Sequence, residues 1–143
     1  MKLMEFFGLL ASTFLVAGSA MADECDGYAL HLKTCEPFVC KFKHPFTGKM
    51  MKKQIVGTFD GKCKTTEEMP NKGKLVCNLS TKARAAVSNE LATLAAAQKV
   101  DSNVELDAAG KATTELKADS KSVKNALEDA MNSGECAVSG YSD

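Results

Sequence analysis

Phe38-Val39-Cys40-Lys41-Phe42-Lys43-His44 is the stretch on which the fold class turns. Phe38, Cys40 and Phe42 share one side and Lys41 and Lys43 the other, so the apolar period is two, that of a half-buried strand. Before it, Tyr28 and Leu32 stand one turn apart in a short predicted helix that Pro37 prevents from continuing. After it, Thr47-Gly48-Lys49 turns the chain, and a second strand carries Met51, Ile55 and Phe59 on one side, with Lys53 and Gly57 interrupting the pattern. Asp60-Gly61 is a hairpin signal. A third strand over 62–69 presents Cys63 and Thr65, Met69-Pro70-Asn71-Lys72-Gly73 turns again, and a fourth over 74–79 presents Leu75, Cys77 and Leu79. Four strands joined by short turns make an antiparallel meander with one apolar face, and that face must be covered.

Residues 81–99 supply a cover. They are Ala-rich, lack Gly and Pro, and place Val87, Leu91 and Leu94 at spacings of four and three, a helical period. Ser102-Asn103-Val104-Glu105 reads as a capping box that opens a second helix at about Asn103. Its stripe of Leu106, Ala109, Thr113, Leu116, Ser120, Val123, Leu127 and Ala130 leads to a C-cap at Ser133-Gly134. These residues are small and partly polar, and Gly110 interrupts them, so the second helix should lean on a partner. The expected fold is α+β: a four-stranded antiparallel meander with disulfides, followed by an Ala-rich two-helix hairpin. The expected division is a signal peptide over 1–22, a disulfide-stabilised β-rich domain over 23–80, and a helical hairpin with C-terminal tail over 81–143.

The chain has 143 residues, 45% apolar and 25% charged, with 18 basic and 18 acidic side chains. That length holds one compact domain, and that composition excludes wholesale disorder and a polytopic membrane protein. The zero net charge argues against a dedicated nucleic-acid binder. Lys2, the apolar run 6–17 and the small-x-small site Ala20-Met21-Ala22 form a cleaved secretory signal. The run is too short to cross about 30 Å of hydrocarbon. Asp23 and Glu24 precede Cys25, which is not the context of a lipid-anchored cysteine. The expected mature protein begins at Asp23, carries no transmembrane segment, and is exported to the periplasm or the medium.

Cys25, Cys35, Cys40, Cys63, Cys77 and Cys136 all lie beyond the cleavage site, and an even count in an oxidising compartment argues for three disulfides. The Met69–Gly73 turn cluster is centred near the midpoint between Cys63 and Cys77, which sets these two opposite each other in a hairpin and predicts Cys63–Cys77. Cys35 and Cys40 are close enough around Pro37 for a local bridge, and their spacing is not that of redox or zinc Cys-x-x-Cys motifs. Cys25–Cys136 follows by elimination. Length supports it too: about 19 helical residues run roughly 29 Å out and about 30 run roughly 45 Å back, past the starting point.

His31 and His44 are the only imidazoles, and neither sits in a nucleophile motif. The acids fall on solvated runs, and no Gly-rich phosphate loop follows a strand. No catalytic residue is expected, nor any cofactor. His44, Met50 and Met51 sit close across a predicted hairpin; the adjacent methionines point to opposite faces, so only one can join His44, and His44 and Met50 are weak candidates for copper, since imidazole and thioether suit that metal. Charge is unevenly distributed. Between Lys33 and Lys74 ten lysines face four acids, whereas residues 79–143 hold ten acids against seven bases. Lys41, Lys43, Lys52, Lys53, Lys62 and Lys64 are therefore candidates for contact with an anionic partner, although edge lysines also protect a sheet from aggregation.

Cys35-Glu36-Pro37-Phe38-Val39-Cys40, then Gly61-Lys62-Cys63, then Glu68-Met69-Pro70-Asn71-Lys72-Gly73-Lys74-Leu75-Val76-Cys77 resembles a group of small exported bacterial proteins of uncharacterised function. The resemblance implies a shared fold and brings no activity, ligand or catalytic residue. The expected function is an exported, non-enzymatic binding or accessory module that contacts an anionic envelope component or a protein partner. The alternatives are an assembly protein using the Ala-rich helices, or a periplasmic copper-handling protein. The intact mass of the exported protein should begin at Asp23, with no alkylation before reduction and six alkyl groups after it; two or more free thiols would reopen metal and redox chemistry.

Overall fold

The computed structural model describes residues 25–44, 47–106, 108 and 112–140. The predicted signal peptide over 1–22 lies outside them, as do Ala109 and Gly110 of the predicted second helix. The chain order is α1 (Tyr28–Thr34), β1 (Phe38–Lys43), β2 (Met50–Phe59), β3 (Lys62–Glu68), a 3₁₀ turn (Pro70–Lys72), β4 (Lys74–Leu79), α2 (Thr81–Ala96), β5 (Val100–Leu106), β6 (Ala112–Ala118), β7 (Lys121–Val123), α3 (Ala126–Asn132) and β8 (Cys136–Ser139). The protein is α+β, as expected, with the four-stranded meander in place.

The main sheet is antiparallel in the order β1-β2-β3-β4-β8, and a second sheet has the order β5-β6-β7. Period-two alternation decides which side of the main sheet is inner. Phe38, Ile55, Thr65, Cys77 and Cys136 stand in one cross-strand row, and Cys40, Lys53, Glu67, Leu75 and Val138 in the next. Asp60 and Gly61 both have positive φ, 50° and 74°, and close the tight β2–β3 hairpin. Gly57 marks a β-bulge, where the register between β2 and β3 slips after Ile55, and its φ of 130° is one a side chain rarely adopts. This bulge is why Gly57 interrupts the strand pattern.

Helices cover the inner face. Tyr28 and Leu32 of α1 are buried, as are Ile55, Cys63 and Leu79 beneath them. α2 starts where Ser80 caps it, its hydroxyl accepting from the Ala83 amide at 3.2 Å. Buried Ser88 donates to the Ala29 carbonyl at 2.6 Å, tying α2 to α1. Glu90, also buried, accepts from the amides of Ala126 and Leu127, while Asn125 accepts from the Glu128 amide at 3.1 Å. The free amides at the start of α3 are thereby satisfied from two directions. Among the described residues, no helix is long and apolar enough to cross a membrane.

The two-helix hairpin is overturned. Residues 81–96 form the first helix, but Ser102 to Glu105, read as a capping box, lie within β5, and the supposed second helix is two strands and part of a third followed by the short α3. Half of the three-four stripe is Ala, Thr and Ser, which fit either period. The β-branched Val100, Val104, Thr113, Thr114 and Val123 favour strands, and Asp119 and Ser120, with φ of 49° and 67°, make a tight β6–β7 turn. The end of the stripe holds: Leu127 and Ala130 lie on the helix α3, Ser133 caps it and Gly134 has φ 79°. The expected boundary at residue 80 also divides a single sheet, because β8 pairs with β4.

The disulfides are Cys25–Cys40, Cys35–Cys63 and Cys77–Cys136, and none of the three expected pairs forms. Cys63–Cys77 fails by register. Cys63 faces Leu79 and Cys77 faces Thr65, so the two cysteines are diagonal neighbours, roughly 7–8 Å apart and beyond disulfide reach. Cys35–Cys40 fails because Cys35 ends α1 with a left-handed φ of 60° and bonds across to β3, while Cys40 on β1 bonds to Cys25. Cys25–Cys136 fails because Cys25 is held over edge strand β1 and Cys136 lies on the opposite edge; four strand spacings, about 19 Å, separate them. Cys77 and Cys136 instead face each other directly, with Cα atoms 4.0 Å apart.

Peptide mapping under non-reducing conditions should recover these three pairs. Cys77→Ala/Cys136→Ala, opening the 59-residue loop, should cost about 4 kcal/mol in denaturant unfolding, against about 3 kcal/mol for removing Cys25–Cys40.

Candidate functional site

In an antiparallel meander the first and third turns fall at the same end of the sheet. Here these are the β1–β2 turn, where Thr47 donates its amide to His44 Nδ1 at 3.3 Å and Gly48 donates to the His44 carbonyl at 2.9 Å, and the β3–β4 turn built on Pro70. Between them runs a groove of about 340 Å³ lined by Lys49, Lys72 and Lys74 together with Met50, Glu68 and Met69. Asn71 and Lys72 both have left-handed backbones, φ 61° and 63°. For a lysine that conformation costs on the order of 1 kcal/mol, so the turn is held in shape by its surroundings.

On the outer face at the same end, Lys41 on β1 is the direct cross-strand partner of Lys52 on β2, and Lys43 follows two residues along. All three are exposed. Like charges in direct opposition destabilise a sheet, so this pair works against the fold. Glu68 is the acid at hand; its carboxylate accepts from the Lys52 backbone amide at 2.8 Å. Six lysines, three on the face and three along the groove, thus gather at the end where Glu68 is the direct cross-strand partner of Lys74.

The other expected anion contacts lie elsewhere. Lys62 and Lys64 are on the outer face at the opposite end, Lys62 facing the exposed Phe59 and Lys64 facing Asn78. Lys62 is also close enough to Glu135 to help hold its carboxyl below the usual range, after the larger effect of the hydrogen bond from the Ser80 amide. Lys53 is not on the basic face at all. It points inward and pairs with Glu67 at 2.9 Å, its ammonium 4.7 Å from the centre of the Tyr28 ring. Lys53 and Gly57 therefore interrupt the β2 pattern for different reasons, one an inward charge and the other a bulge.

Lys49, Lys72 and Lys74 were missed as site residues. They were counted in the basic excess, but only the pairing of the two turns joins them to Lys41, Lys43 and Lys52. The copper candidates do not converge on a built site: Met50 is exposed beside the lysines, and the Nδ1 of His44 is engaged in its own turn. Among the described residues no group of three or more His, Cys, Asp or Glu is arranged to hold a metal. His31 stacks on Phe38 with ring centres 4.4 Å apart and places Nδ1 3.1 Å from Glu36.

Inside the sheet, burial pushes the Tyr28 hydroxyl far above its ordinary value, the Glu67 charge adds to this, and a hydrogen bond with Thr65 opposes it. Burial also raises the Glu90 carboxyl, against the two amide hydrogen bonds and the charge of Lys53. Comparison of the chain with protein families, curated proteins and solved structures finds no match.

Of the two tyrosines in the chain, Tyr28 should stay protonated as pH rises through about 10. Its raised folded value means the neutral form stabilises the fold, an advantage lost as pH climbs beyond the unfolded value. Ultraviolet titration should show at most one phenolate until the protein unfolds.

Proposed function

We propose that this chain is an exported, non-enzymatic binding module whose lysine-rich sheet end contacts an anionic component of the cell envelope. The observation that carries the reading is the exposed Lys41–Lys52 cross-strand pair, set beside the groove of Lys49, Lys72 and Lys74. The fold keeps two like charges opposed on a solvated face, an arrangement that a bound polyanion would relieve. Three disulfides suit an oxidising compartment outside the cytosol. All six cysteines are bonded, so they offer neither a nucleophile nor a metal-binding thiolate.

Separated lysine ends favour this site over one spread along the whole face. From the spacing of residues along β2, roughly 16 Å divides Lys52 from the neighbourhood of Lys64. Lys62 answers to Glu135, whereas at the end with Lys41, Lys43 and Lys52 the carboxylate at hand among the described residues is Glu68.

Binding to dextran sulfate and to phosphatidylglycerol vesicles should weaken steeply between low and high salt. Lys41→Glu/Lys52→Glu should cut affinity by at least about tenfold at low salt, each reversal acting through an exposed attraction. Lys62→Glu/Lys64→Glu should have a smaller effect. Binding indifferent to salt and to the first pair of substitutions would overturn the proposal.

A further inference from the structure

A cleft of about 260 Å³ opens on the inner side of the main sheet, between α1 and α2. Its floor is Lys53 and Glu67, neighbours in the cross-strand row that also holds Cys40 and Leu75, so two charged side chains stand where a covered face is expected to be apolar. The Lys53–Glu67 pair is largely shielded from water, with 20% and 28% of the side chains exposed. A pair so placed stabilises a fold no better than apolar residues of the same volume, so packing alone does not account for it.

The cleft's chemistry is asymmetric. Lys53 uses its ammonium on Glu67 Oε2 and on the Tyr28 ring, and Glu67, with 28% of its side chain exposed, lines the cleft. Asp26 stands at the same cleft, giving two carboxylates to one ammonium. Phe42, Leu91 and Ala95 supply an apolar wall. The volume falls just under the roughly 300 Å³ at which drug-sized pockets begin, so an occupant is small.

We infer that this cleft is a binding site for a small organic cation, a protonated amine on a short apolar body. The ammonium is held by Glu67 and the body lies against Phe42, Leu91 and Ala95. The site is on the opposite face of the sheet from the lysines proposed to meet an anion, and it does not depend on them.

The test uses the full-length oxidised protein and three probes that share one ring and differ at the polar end: phenethylamine, 2-phenylethanol and 3-phenylpropionate. Titration calorimetry, with amide chemical shifts to locate the site, should show saturable binding of the amine at least about tenfold tighter than of the alcohol or the acid. Glu67→Gln should weaken the amine by about tenfold, the loss of one charge-assisted hydrogen bond. Lys53→Met should tighten it several-fold, because the ligand ammonium takes the vacated place beside Glu67, and the amine should raise that variant's Tm more than it raises the parent's. Ala95→Phe, at an exposed helix position, fills the cleft without touching the ion pair and should abolish binding while leaving the fold intact. Lys41→Glu/Lys52→Glu should leave amine binding unchanged, so that this site and the anion-contact reading fail separately. Absence of saturable amine binding, equal binding of the three probes, or amine binding unaltered by both Glu67→Gln and Ala95→Phe would overturn the inference.

Discussion

α1 is seven residues long, too short to persist in water by its own hydrogen bonds, and it is held down at both ends. Cys25, just before it, is bonded to Cys40 on edge strand β1, and Cys35, at its C-terminus, is bonded to Cys63 on β3. The helix is thereby pinned across the sheet, and the rest of the inner layer is built against it. Tyr28 and Leu32 are pressed onto Ile55 and Leu79, and α2 rests on α1 through the Ser88 hydrogen bond. A core this small contains few large aliphatic side chains. Five of the buried apolar residues are half-cystines, so the same atoms fill the core and cross-link it.

The C-terminal half joins the core through Val87, Ala126, Ala130 and Cys136, and polar contacts fix its helices. Glu90 reaches from α2 to the amides at the start of α3, and Glu135 reaches back to the amide of Ser80 at the start of α2. Between those two anchors the chain reverses at Gly134, and beyond Glu135 it lays β8 along β4, where Cys77–Cys136 locks the new edge. The second sheet is more exposed, with Val100 and Val104 both turned largely to solvent. The two carboxylate anchors respond to pH in opposite senses. Burial raises Glu90, whose protonated form favours the fold at low pH, an advantage lost as pH rises through its folded value. Hydrogen bonding lowers Glu135, whose contribution is present above the unfolded value and lost as pH falls.

The charged residues divide between the two faces of one sheet. On the outside, lysines gather at the end where two turns meet, with little to neutralise them. On the inside, Lys53 is enclosed with Glu67 and Tyr28 beside an apolar wall. Adjacent residues of β2, Lys52 and Lys53, thus meet opposite conditions, because successive side chains of a strand point to opposite faces.

Much of this was legible locally. The Tyr28–Leu32 spacing ahead of Pro37, alternation at Phe38, Cys40 and Phe42, the turn residues Asp60-Gly61, and the Ala-rich stretch after Ser80 determined α1, the four strands and α2, since each depends on neighbours a few residues away. Residues 100–123 were ambiguous because Ala, Thr and Ser at three-four spacing satisfy a helix about as well as a strand, and tertiary pairing decided between them. The disulfides needed long-range information: a shift of one residue in the centre of the β3–β4 turn moved Cys77 away from Cys63 and toward a strand that the sequence pattern did not predict. The lysine excess was likewise visible as a count, but its division into an outer basic end and an inward ion pair was not. Composition and short-range period are properties of the chain itself. Register, sheet order and the face a charge occupies depend on which distant segments pair, and only the tertiary structure decided these.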